Sequence, residues 1–130
     1  MSLANQLHAL SAVRMLNAVD AVNTAAATSP YISVAGFEGD VAIIISTGLL
    51  DAGSITYTFG HATDSGGTGD AAIVPQGGAL AQITTSNDDG NPYVAVFPVS
   101  KLQGFIRVVG TIATGGALVS YTLVGRQKTV

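Results

Sequence analysis

Cysteine and tryptophan are both missing from this 130-residue chain. The first absence removes disulfides, thiolate catalysis, Fe–S clusters and Cys-type zinc sites together. The second, with aromatic residues at only 6%, leaves little from which to build a sugar-stacking platform. Charge is scarce as well: Asp, Glu, Lys and Arg make up 10% of the chain, where about 25% is usual. Five basic residues against eight acidic ones give a net charge of −3, the wrong sign for a nucleic-acid binder. Hydrophobic residues reach 48%, yet long apolar runs are lacking. The longest strictly aliphatic block, Val41-Ala42-Ile43-Ile44-Ile45, is far shorter than the ~20 residues of a membrane helix, so no membrane partner is expected. The start of the chain has neither the basic residues nor the continuous apolar stretch of a secretory signal, and synthesis in a cytoplasm is expected.

What is present divides the chain into an N-terminal arm or helix over residues 1–30 and a β-domain over residues 31–130. In residues 2–22, Leu3, Leu7, Leu10, Arg14 and Ala18 fall near one helical face, with Val13, Leu16 and Val19 beside it. The spacing predicts a helix, with an ordered arm or a partial first strand from Asp20 to Thr24 as alternatives. After Pro30 the grammar becomes β. Fifteen of the 16 glycines follow position 38 and punctuate short apolar runs. The predicted strands are 32–35, 40–46, 54–59, 71–74, 80–85, 93–99, 104–113 and 117–124. Alternation is visible in Ile55-Thr56-Tyr57-Thr58-Phe59, whereas Val41–Ile45 is apolar throughout and reads as a strand covered on both faces. Gly115-Gly116 reads as a hairpin turn. Short strands at this spacing, with no room for crossover helices, predict an all-β fold. The expected form is an antiparallel β-sandwich of jelly-roll or Greek-key type with a short N-terminal helix or arm.

No residue pattern points to catalysis, a metal or a cofactor, and none of the three is expected. His8 and His61 lack a second histidine at ligand spacing. His61 and Asp64, three apart on a turn, suit local capping better than a catalytic triad. The loop Asp64-Ser65-Gly66-Gly67-Thr68-Gly69-Asp70, alone or with Asp88-Asp89-Gly90-Asn91, offers too few anionic ligands for a calcium loop. Glu38, Asp40 and Asp51 are conceivable as a glycosidase pair, and the lack of Trp argues against it. Arg107, within Phe105-Ile106-Arg107-Val108-Val109, alternates with apolar neighbours and should point outward, as a plain strand charge or as a partner contact. Sparse charge is what a subunit with much surface in contact would show. Leu3, Leu7 and Leu10 would anchor such a contact.

Three stretches of the β region carry a resemblance. The first is the apolar strand Val41–Ile45 running through Ser46-Thr47 to Gly48. The second is the alternating strand Ile55–Phe59 running into Gly60-His61-Ala62-Thr63-Asp64-Ser65-Gly66. The third is Gly104-Phe105-Ile106-Arg107-Val108-Val109, followed by a closing hairpin to Gly125. Together, over roughly residues 31–126, they resemble the small β-sandwich capsid decoration (cement) proteins of tailed bacteriophages. The resemblance implies a non-enzymatic virion protein that binds the major capsid protein of an assembled shell, and itself as a dimer or trimer. The expected location is the virion, after synthesis in the host cytoplasm. Another virion subunit (tail, head-completion or fibre-associated) and a carbohydrate-binding module are the alternatives.

Overall fold

The computed structural model describes residues 10–22, 26–50, 52–86, 92–114 and 116–128. Among these residues there are ten strands: β1 (Leu10–Val22), β2 (Ala26–Thr28), β3 (Ile32–Ser33), β4 (Phe37–Thr47), β5 (Ser54–Ala62), β6 (Ala71–Ile73), β7 (Ile83–Thr84), β8 (Tyr93–Pro98), β9 (Phe105–Ile112) and β10 (Gly116–Gln127). One sheet has the order β1-β10-β4-β8. The other runs β2-β9-β5-β6, with β3 also on β9 and β7 also on β5. All the pairings are antiparallel.

The short strands are halves of longer ones. Pro30 has no N–H to give a ladder, so it separates β2 from β3. Ser29 mends the gap, accepting from the Val108 N–H at 3.0 Å on its hydroxyl and donating its own N–H to the Val108 carbonyl at 2.9 Å. Likewise β6 and β7 lie along the two ends of β5, at His61–Phe59 and Ile55–Ser54. Counted this way, two four-stranded sheets face each other in jelly-roll order, the chain changing sheet at every step except from β5 to β6 and β7. The expected all-β sandwich is the fold observed.

Three sequence expectations need correction. Residues 10–22 form a strand, not a helix, and pair with β10 along their whole length. The misreading has a physical source. Register shifts between Arg14 and Leu16 and between Leu16 and Val19 each insert an extra residue, so Val13, Leu16 and Val19 stand opposite Leu123, Tyr121 and Val119. Bulges thereby stretch a period of two into a period of three, which imitates helical spacing. Second, β9 and β10 lie in different sheets, so the chain crosses the sandwich after Thr114 and makes no hairpin there. Third, β4 is covered on one face only by the rest of the described chain: Val41, Ile43 and Ile45 are buried, while Ala42 and Ile44 remain partly exposed on the outside.

The core lies between the sheets. Ile43, Ile45, Phe97 and Leu123 from one side meet Ile55, Phe59, Ile106 and Val108 from the other, all of them buried. Phe59 and Phe97 meet edge-on with centroids 5.1 Å apart. Two tyrosines cross the gap in opposite directions. Tyr121, on β10, donates to the Ala27 carbonyl in the facing sheet at 2.8 Å, and Tyr57, on β5, shares a short hydrogen bond with Thr47 on β4. Their rings are edge-to-face at 5.9 Å. Each buried hydroxyl thus has a partner, which removes the cost of an unsatisfied polar group in a core.

Candidate functional site

Arg107 sits opposite Gly60 in the β5–β9 ladder and faces outward from the sheet, as the alternation of its strand requires. The absence of a side chain on Gly60 makes the space into which Asp70 folds. A Cβ at that position would lie 2.9 Å from Asp70 Oδ1 and 3.6 Å from Arg107 Nε. Arg107 Nη2 donates to Asp70 Oδ2 at 3.1 Å. The other Asp70 oxygen accepts a short hydrogen bond from the Tyr31 hydroxyl. The guanidinium lies over the Tyr31 ring, its Cζ 4.8 Å from the centroid. Burial first, and the hydrogen bond to Asp70 second, push the Tyr31 hydroxyl pKa up.

This clasp fastens the loop 63–70. Asp64 Oδ1 accepts from the backbone N–H of Gly66 at 2.9 Å and of Thr68 at 3.0 Å, and hydrogen bonding, from the Thr68 side chain first and the Thr68 backbone next, holds its carboxyl below the usual range. Gln103 ties the same region from outside. Its backbone N–H donates to His61 Nδ1 and its side-chain amide to the Gly69 carbonyl, each at 3.2 Å. Asp64 therefore serves as a turn cap and Asp70 as half of an ion pair. Among the described residues no group of three or more His, Cys, Asp or Glu is placed to hold a metal.

Beside the clasp is an open cleft of about 340 Å³ with Thr58, Gly60, Ala72 and Val109 on its floor and Asp70 and Arg107 at its wall. Arg107 is paired with Asp70 through Nη2, Tyr31 carries the guanidinium against its ring, and Arg107 Nε is buried with no hydrogen-bond partner. The cleft is thus a shaped, mostly neutral surface with its charges already paired.

Of the residues expected to bind a partner, Arg107 is the one the structure places at this site. Leu10 opens β1 opposite Arg126, and Leu3 and Leu7 lie outside the described residues, as do His8, Asp51 and 88–91. Glu38 pairs with Arg126 at 3.3 Å, and Asp40 stands opposite Pro98. Sequence reasoning missed Tyr31 and Gly60. Gly60, inside an otherwise alternating strand, was the available signal, since such a glycine marks close approach of another group. Tyr31 offered none, because its partners are 39 and 76 positions away.

No protein-family model matches the chain, and no curated protein sequence does. Its fold is shared with solved structures. One is the SPBc2 prophage-derived protein YomS, with a TM-score of 0.51 and 13% identity over 89% of this chain and 93% of that one. A chain of the Triatoma virus empty capsid has a TM-score of 0.51 and 8% identity over 98% and 92%. BpGH86A, a β-porphyranase of glycoside hydrolase family 86 from Bacteroides plebeius, gives 0.54 and 16% identity over 93% of this chain, which spans 21% of that protein. At such identities the likeness is one of fold, an all-β jelly-roll sandwich whose neighbours include a prophage-derived protein and a virus capsid.

Proposed function

We propose that this chain is a structural virion protein that binds and stabilises an assembled bacteriophage capsid, a decoration or cement protein, with the major capsid protein as its partner and no enzymatic activity. The observation that carries the reading is a jelly-roll sandwich with one aliphatic outer sheet face. A sheet that meets water alternates apolar-in and polar-out. Here β4 keeps Ala42 and Ile44 on its outer side, next to Val94, which is 48% exposed. Such a surface is suited to burial against another protein. The resemblance of residues 31–126 to decoration proteins, and the fold shared with YomS and a capsid chain, support the same reading by analogy of fold.

A protein that binds only the assembled lattice stabilises it by mass action, and repeated sites multiply weak contacts. The test is co-sedimentation with shells assembled from the major capsid protein encoded by the same genome. The expected outcome is saturable binding near one copy per capsid subunit and shells that survive a higher temperature. Protein that stays in the supernatant at every concentration overturns the reading; a few copies per particle would favour a tail, head-completion or fibre-associated role.

The cleft beside Arg107 favours a second reading, a carbohydrate-binding module, because Thr58, Asp70 and Arg107 bring hydroxyl, carboxylate and guanidinium groups to one apolar floor. Calorimetric titration with soluble polysaccharides separates the two. Heat that disappears in Arg107→Ala supports the module, and no heat with any polysaccharide removes it.

A further inference from the structure

The cleft beside the clasp has polar groups that the protein itself does not use up. Arg107 is bonded through Nη2 alone, to Asp70 Oδ2 at 3.1 Å. Tyr31 holds the pair in this single-bonded form, because its hydroxyl takes Asp70 Oδ1, the oxygen left for Nε in a two-bonded fork. A guanidinium has more N–H donors than one such bond needs, and Nη1 has no hydrogen-bond partner among the described residues. Asp70 Oδ2 likewise keeps a lone pair beyond the one that Arg107 meets. In the ladder Arg107, Gly60 and Ala72 stand in one cross-strand row, and Val109 and Thr58 in the next. Thr58 is exposed, and its hydroxyl has no partner among the described residues. Gly60, Ala72 and Val109 make the rest of the floor uncharged and apolar.

We propose that this cleft takes a neutral saccharide by a vicinal diol. Arg107 Nη2 and Asp70 Oδ2 set a donor and an acceptor 3.1 Å apart, and hydroxyls on adjacent sugar carbons stand at a similar separation. One hydroxyl oxygen accepts from the guanidinium while its neighbour donates to the carboxylate. Thr58 offers a contact to a further hydroxyl, and the floor meets the C–H face of the ring. An acidic sugar would bring its own carboxylate against Asp70, a like-charge contact that the wall penalises. About 340 Å³ is near the low end for a ligand cleft, with room for roughly one or two sugar units. The Tyr31 ring is occupied by Arg107, so each site binds weakly and many copies held together bind well. The inference rests on the carbohydrate reading of the cleft, which it narrows, and is independent of the decoration reading. The cleft belongs to the β2-β9-β5-β6 sheet, whereas Ala42, Ile44 and Val94 lie on the outside of the other. A copy seated on a shell by that second face turns the cleft away from it.

The experiment is calorimetric titration of the full chain with soluble polysaccharides that differ in where they carry adjacent hydroxyls. Neutral 1,4-linked glucans, mannans and xylans keep a vicinal pair on every unit, and a 1,3-linked glucan has none along its chain. Periodate cleaves the carbon–carbon bond between adjacent hydroxyls, so the oxidised and reduced 1,4-linked polymer has lost the pair. Polygalacturonate keeps the pair and adds a carboxylate. The site variants are Arg107→Ala and Ala72→Leu, the second of which fills the floor and leaves the clasp residues in place. Thr111→Ala, exposed on the same sheet outside the cleft, is the control. Circular dichroism selects the variants that keep the β fold. The expected result is saturable heat with a neutral 1,4-linked polymer, with affinity lowered roughly tenfold or more by periodate or by either site variant and unchanged in the control. Equal binding of the oxidised polymer or of the 1,3-linked glucan, a preference for polygalacturonate, or indifference to both site variants overturns this inference and leaves carbohydrate binding standing. No heat with any polymer removes the carbohydrate reading and this inference together.

Discussion

Gly110 and Tyr121 face each other across the sandwich with no space for a methyl group between them. A Cβ on Gly110 would lie 2.6 Å from the Tyr121 hydroxyl oxygen and 3.0 Å from Tyr57 Cε1. Gly110 also pairs with Ala27, whose carbonyl accepts the Tyr121 hydroxyl. Glycine here makes space for two crossing tyrosines. Gly110→Ala should cost about 1–3 kcal/mol by overpacking, read from thermal or denaturant unfolding. Tyr121→Phe in the same chain removes the clashing oxygen, so the double variant should lose less than the sum of the singles. Strict additivity would show that the close approach is not the cause.

The same tyrosines set the alkaline limit of the fold. Burial raises the Tyr57 pKa from 10.0 to about 12 and pushes Tyr121 higher still. A phenol whose folded pKa exceeds its unfolded one contributes stability that is fully present below pH 10 and is lost as pH climbs towards 12. For Tyr57 that contribution is up to about 3 kcal/mol. Tyrosinate absorbance from these two rings should therefore appear together with the loss of far-ultraviolet circular dichroism. Tyr57 and Tyr121 titrating near the ordinary tyrosine value, with the β signal intact, would contradict the buried pair.

The Arg107–Asp70 pair predicts a different balance of effects. Its side chains are 31% and 42% exposed, so Asp70→Asn should change global stability by less than about 1 kcal/mol. The loop 63–70 should nonetheless open to proteases, since Tyr31 and Arg107 both hold it through that carboxylate. Gly60→Ala should do the same by displacing Asp70. Arg107→Lys should fall short of the parent, because an ammonium cannot replace the planar group over Tyr31. Unchanged cleavage in all three variants would count against the clasp.

Asp64 supplies an acid-side prediction. Its carboxyl is held below the usual value of 3.8, so its contribution to the turn is present above that pH and fades as pH falls through the lowered value. The Gly66 and Thr68 amide resonances should titrate with a midpoint under 3.8. In Asp64→Ala that titration should vanish, leaving the sandwich intact.

Strand positions and fold class were legible because Ile55–Phe59 and its counterparts alternate with a period of two and are bounded by glycines. The eight strands expected after residue 30 are all present, with bounds shifted by a few residues. The N-terminal strand was not legible: its bulges give Val13, Leu16 and Val19 a helix-like step. Val41–Ile45 carried real information that was half understood, since the second face has no cover within the described chain. The clasp was beyond reach for another reason. It joins Tyr31, Asp70 and Arg107 over distances that only the folded topology closes, and the lone glycine at position 60 was the part that showed.

The order β1-β10-β4-β8 also fixes a sequence of events in time. β10 lies between β1 and β4, so the first strand has no neighbour until residues 116–127 have left the ribosome. Contacts between strands about a hundred positions apart close slowly and late. Val124 takes its place beside Ala42 on the outer face only in that final step. Chains cut short before residue 116 keep β4 and β8 but lack the strand that joins them to β1, so only finished molecules carry the complete face.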